Sequence, residues 1–161
     1  MEKSAKLGKL TLLNIILFGF IGQVAWAVEN NFFNTFLFSF GGTTKDISTM
    51  VAASAVVAVV TTFVMGTLSD KLGRRKIFIC AGYVAWGITV MAFAFISREN
   101  LGKLIGADPS SAAALSATVT TVIVMDCIMT FMGSTSNDSA FNAWITDVTV
   151  PSNRAKIGRA H

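Results

Sequence analysis

Carboxylates and carboxamides set inside apolar sequence are the groups here whose chemistry needs a reason. In GQVAWAVENNFFNTF, residues 22–36, Glu29 stands among Asn30, Asn31 and Asn34, with Gln23 and Trp26 shortly before it. Asp126 interrupts the run TVIVMDCIMTF, and Asp138 follows in STSNDSAF. Such groups are costly in hydrocarbon unless paired, so they turn towards protein or a water-filled path and mark places where polar solutes or ions are handled. At about 100° per residue, with Gln23 at zero, Asn30 falls near −20°, Asn34 near +20° and Trp26 near −60°, so these four share a stripe. Glu29 lies roughly 120° from its centre. Amides beside an indole suit a hydroxylated solute such as a sugar or glycoside, whose hydroxyls need donors and acceptors while its apolar ring face lies on the aromatic. Gln23, Trp26, Glu29, Asn30 and Asn34 are therefore candidate solute ligands, and Asp126 and Asp138 candidate sites for a coupling proton or cation. The alternative for the amides is hydrogen bonding to neighbouring helices, and for the aspartates a role in fixing helix packing.

Enzymatic chemistry is not indicated. The one histidine is His161, and there is no G-x-S-x-G elbow, phosphate-cradling glycine loop or zinc-ligand spacing, so no cofactor or metal is expected. Asp126 and Asp138 on one helix are separated by about 18 Å of rise and cannot form a facing catalytic pair. Cys80 and Cys127 lie at different depths of apolar segments and read as free packing thiols.

The elements that must position these groups follow from composition. Hydrophobic residues make up 53% of the chain and charged residues 14%, with mean hydropathy +0.62. A bilayer core about 30 Å thick needs roughly 20 apolar residues per helix, and stretches near 10–40, 48–68, 77–96 and 112–143 qualify. The expected fold is all-α integral membrane, with the bilayer as a partner and both termini on one side. The long first and fourth stretches are expected to tilt or to outrun the bilayer. GGTTKD, SDKLGRRK and SRENLGKLIGADPSS supply turns between them. Of 13 Lys and Arg residues, only Lys45, Arg98 and Lys103 fall on one side; the other ten fall opposite. The positive-inside rule then makes residues 1–9, the second connection and the C-terminus cytoplasmic, in a multi-pass protein of the cell membrane. That asymmetry accounts for the net charge of +4 without nucleic acid as a partner. Ala25-Trp26-Ala27 imitates a signal-peptide cleavage site, but hydrophobicity resumes at Phe32 and Phe33, so the first helix is expected to be retained.

The most specific stretch is GTLSDKLGRRK, Gly66 to Lys76. It resembles the G-x-L-x-D-x-x-G-R-R/K signature between the second and third helices of major facilitator superfamily transporters. The resemblance implies a gating loop comprising Gly66, Asp70, Gly73, Arg74 and Arg75, with Asp70 and Arg74 as members of a charge cluster that holds two transporter halves together in one state. Asp147, Pro151 and Arg154 look like the same family's pattern after the fourth helix, and the layout is most similar to the glycoside and cation symporter branch that includes melibiose permease. Departures remain. The second helix has none of that branch's acidic residues and offers Thr61 and Thr62 instead, and Met129 stands where many facilitators place an arginine ahead of Gly133.

That family is built of two six-helix halves, so residues 10–156 are expected to be helices one to four of the N-terminal half, with the remainder of the transporter as a missing partner. The closing IGRAH can be encoded by a common sequencing-adapter string, so residues 157–161 are expected to be a non-native tail. The function expected is secondary transport of a small polar solute by alternating access with proton or cation coupling. The rival is a self-contained four-helix scaffold or regulator without transport activity.

Overall fold

A computed structural model of the chain describes residues 7–150; Pro151, Arg154 and the suspected tail lie outside them. Among the described residues four helices are long and apolar enough to cross a membrane: Lys9–Ser39, Thr44–Leu72, Arg75–Phe95 and Ala112–Val148. The protein is a multi-pass membrane protein of all-α class. Phe20, Phe63, Val84 and Phe95 stand outward, each about two-thirds exposed or more, as lipid-facing side chains do.

Helix α1 is Lys9–Ser39 and α2 is Thr44–Leu72. The start of α2 is fixed by a capping box: the Asp46 N–H donates to Thr43 Oγ1 at 3.3 Å, and the Thr43 N–H donates to Asp46 Oδ2 at 2.7 Å. Gly73 ends it in the left-handed conformation, φ 61°, where a side chain would be strained. Helix α3, Arg75–Ala92, closes with one 3₁₀ turn, Phe93–Phe95.

The third connection differs from the turn expected of it. Arg98–Ile105 forms a helix, α4, capped by the Ser97 hydroxyl at one end and by left-handed Gly106 at the other. Lys103 Nζ donates to Glu99 Oε1 at 2.7 Å, which holds the Glu99 carboxyl below the usual range. The turn signals in that sequence are the ends of a short helix. Ser110 donates to Asp108 through its hydroxyl and through its N–H, the latter at 2.7 Å, and these bonds likewise hold the Asp108 carboxyl down. Ser111 then caps α5, Ala112–Gly133, by accepting from the Ala114 N–H at 3.1 Å.

The fourth span is not uniformly α. Ser134–Phe141 is π-helical, and the α form resumes as α6, Asn142–Val148. Long π stretches are rare and cluster at functional sites. This one is where the other spans meet the fourth. A Cβ added at Gly82 of α3 would lie 2.6 Å from the Ser136 Cβ, and one at Gly22 of α1 would run into the Asn137 amide. Both helices therefore approach the π segment through a missing side chain. The Tyr83 hydroxyl donates to Asn137 Oδ1 at 2.9 Å, tying α3 to the same place.

Towards the opposite end of the bundle the core is apolar: Phe33, Leu37, Met50, Trp86, Phe93, Ile96, Val122 and Met129. Rings pack across helices, with Phe33 and Phe93 centroids 4.2 Å apart and Trp26 and Trp86 5.2 Å apart. Neither cysteine is paired; Cys80 faces outward instead of packing, and Cys127 is half-buried.

Candidate functional site

A cavity of about 180 Å³ lies between α1, α2 and α5. From α1 it takes Trp26, Glu29, Asn30, Phe33 and Asn34; from α2 Ser54 among small apolar neighbours; and from α5 Asp126 and Thr130. Two carboxylates from different helices thus line one space inside the membrane-spanning region. Both are almost fully buried, Glu29 at 7% and Asp126 at 4% exposure. None of the lining residues is basic.

The position of Glu29 departs from the helical-wheel expectation. The buried face of α1 runs Ile15, Gly19, Gly22, Glu29, Phe33, Leu37, at helical three- and four-residue steps apart from one seven-residue interval. Glu29 is in that face, whereas Gln23 is exposed and does not line the cavity. The wheel centred on Gln23 follows the amides; packing follows the small and apolar residues. Asn30 and Asn34 line the cavity from the flank, and their amide nitrogens donate to backbone carbonyls one turn back, Asn30 to Trp26 at 2.8 Å and Asn34 to Asn30 at 2.9 Å. Their side-chain oxygens stay available as acceptors.

Glu29 Oε1 accepts a hydrogen bond from the Thr130 hydroxyl at 3.2 Å, and the Trp86 indole faces the same carboxylate. Glu29 Oε2 is buried without a hydrogen bond. Asp126 is within reach of the Ser54 hydroxyl. Ser54 and Thr130 are absent from the candidates that the sequence suggests. Thr130 is one turn from Asp126 on the same face, so helix arithmetic could have found it; Ser54, one small residue in an alanine- and valine-rich run, carries no such signal.

Asp138 is elsewhere. It is half-buried in the π segment, where it accepts from Ser134 Oγ at 3.0 Å and from Asn137 Nδ2 at 3.2 Å. It does not line the cavity with Asp126.

The basic end of the bundle carries a charge cluster with a different membership from the one expected. Arg75, not Arg74, pairs with Asp70, and the same guanidinium donates to both oxygens of Asp147 and to the Ser69 hydroxyl, the last at 3.2 Å. Arg74 is the residue before α3 and its side chain is exposed. The geometry gives the reason: Gly73 turns the chain, Arg74 completes the reversal, and Arg75 is the first side chain aimed back at α2 and α6. Gly66 sits one turn below Asp70 on α2, and a Cβ there would stand 4.0 Å from the Ser139 Cβ of the π segment. The cluster therefore joins the second connection to the end of the fourth span.

The arrangement can bind a proton or a cation at the carboxylate pair, offer acceptors to a small polar solute, and clamp one end of the bundle. A family model described as Major Facilitator Superfamily matches residues 12–157. Neither the curated proteins nor the solved structures contain a match to the chain.

Proposed function

The chain belongs to the major facilitator superfamily, and on that premise we propose that it serves secondary transport of a small polar solute across the cytoplasmic membrane by alternating access. The observation that carries the reading is the pair of buried carboxylates, Glu29 and Asp126, in one cavity with no basic residue in its lining. Two anions in a low-dielectric space without a counter-charge require a proton or a cation, and uptake and release of that species is what coupling to an ion gradient needs. Glu29 and Asp126 are the coupling groups in this proposal, with Thr130 and Ser54 as neutral oxygen donors. Asn30, Asn34 and Trp26 are the solute ligands, and a hydroxylated solute of the sugar or glycoside class suits them.

Gln23, Asn31 and Thr35 are exposed on α1 within the membrane-spanning region. Asn31 and Thr35 donate to backbone carbonyls one turn back, and their oxygens keep acceptor capacity that a polar neighbour would use, so in this proposal further helices of the transporter cover this face. Among the described residues Lys9, Lys71, Arg74, Arg75 and Lys76 stand at one end, against Lys45, Arg98 and Lys103 at the other, which favours a cytoplasmic location for the former.

The test is ligand-induced stabilisation of the purified protein. A panel of sugars and glycosides, sodium, lithium and potassium salts, and a pH series should raise the unfolding temperature through at least one solute and one cation or proton condition. Glu29→Gln and Asp126→Asn should each abolish the cation or proton effect, while Asp70→Asn, in the clamp, should leave it intact. An ion response unchanged in both cavity variants would sink the assignment.

A further inference from the structure

Besides the cavity, the molecule has a groove of about 420 Å³ at its basic end, lined by Gly73, Arg74, Arg75, Lys76, Ile77, Trp144 and Asp147. Its three cations differ in state. Arg75 is engaged by Asp70, Asp147 and Ser69. Arg74 and Lys76 make no ion pair among the described residues, and both are exposed. The groove thus presents two uncommitted cations beside a neutralised third.

We propose that this groove binds the phosphodiester headgroup of an anionic phospholipid, with Arg74 and Lys76 as its cationic ligands. Three observations select a lipid over a free anion. The groove lies where α2 ends and α3 begins, at the end of two spanning helices, which is the level of the headgroups. Trp144 lines it, and an indole with an apolar body and one N–H donor belongs at that boundary. Ile77 lines it too and is 55% exposed, as is the adjoining Leu72, so apolar surface for acyl chains continues from the charged rim towards the membrane. The volume agrees, because roughly 300–1,000 Å³ is the range of sites for whole organic ligands, larger than a lone ion needs.

Occupancy would have a defined consequence. A headgroup phosphate on Arg74 and Lys76 would stand beside the Arg75–Asp147 contact, since both of those residues line the groove. It attracts Arg75 and repels Asp147, so an occupied groove competes with the clamp. The proposal is independent of the solute cavity, which shares no residue with the groove.

The experiment uses the purified full chain in neutral detergent, titrated with short-chain phosphatidylglycerol, short-chain phosphatidylcholine or inorganic phosphate, with the unfolding temperature as readout. Phosphatidylglycerol should stabilise saturably, and the other two should not. With each cation near the surface contributing as juxtamembrane basic residues do, Arg74→Ala/Lys76→Ala should weaken the apparent affinity roughly 30-fold at low salt. Arg74→Lys/Lys76→Arg should restore it to within about threefold, which separates lost charge from lost folding. Lys45→Ala/Lys103→Ala, at the other end of the bundle, should bind as the unaltered protein does. Equal stabilisation by phosphatidylcholine, undiminished binding by the double alanine variant, or an equal effect of inorganic phosphate would each overturn the proposal.

Discussion

Arg74 and Arg75 are adjacent and chemically identical, yet only Arg75 holds the clamp. Its side chain is 18% exposed, while its partners Asp70 and Asp147 are 60% and 52% exposed, so solvent screens the pairs and each is worth at most about 1 kcal/mol. Arg75→Ala is expected to lower stability by about 1 kcal/mol, and Arg74→Ala by less than about 0.5 kcal/mol, in denaturant unfolding of the purified protein. On the alternating-access proposal, Arg75→Ala should change transport rates more than stability, because the cluster would bias the balance between the two states. Residue types and spacing are enough to place a charged turn here, because Gly73 and the flanking charges are readable. Which arginine turns inward depends on the rotation of α3 about its axis, and the string of letters does not carry that. The same holds for Glu29, whose burial follows from Gly19, Gly22, Phe33 and Leu37 packing inward and not from its amide neighbours.

Helix α3 meets the fourth span through a glycine, and its tolerance can be measured. Gly82→Val brings branched carbon to where even a Cβ would be 2.6 Å from Ser136, so backbone has to move. The expected loss is about 1–3 kcal/mol, with Gly82→Ala at the lower end, read as a drop in unfolding midpoint. Gly87, on the same helix, has open space where a Cβ would stand, and Gly87→Ala should be neutral or stabilising through reduced freedom of the unfolded chain. The four long helices are legible because sustained hydropathy over about 20 residues is an unambiguous signal. Helix α4 is not, because Arg98–Ile105 is short, amphipathic and bracketed by the serine and glycine that also mark loops. Nor is the π stretch. Its residues, STSNDSAF, read simply as a polar patch, and the widened turn arises from what packs on it.

As a whole, the molecule is asymmetric in two directions. Along the membrane normal, the charge pattern sets one end apart, with Lys71, Arg74, Arg75 and Lys76 there and Lys45, Arg98 and Lys103 opposite. In a background with Cys80 and Cys127 replaced by serine, Lys103→Cys should react with an impermeant maleimide added to intact cells, and Arg74→Cys should react only after permeabilisation. The reverse pattern would overturn the proposed orientation. Across the membrane plane, α1 carries Gln23, Asn30, Asn31 and Thr35 in the open, whereas the exposed side chains in the middle of α3, such as Val84, Ile88 and Met91, are apolar.

The π segment has a further consequence, for descent instead of mechanism. A turn closed by i→i+5 bonds accommodates one more residue than an α turn, so the chain can lose one residue there while the helix on either side keeps its facing. Removal of a single residue between Ser134 and Phe141 would relax that turn to α form and still present Asp126 to the cavity and Asp147 to Arg75. Elsewhere in the span the same deletion would swing every following side chain by about 100°. Relatives of this chain that differ in length within the fourth span should therefore carry their gap here.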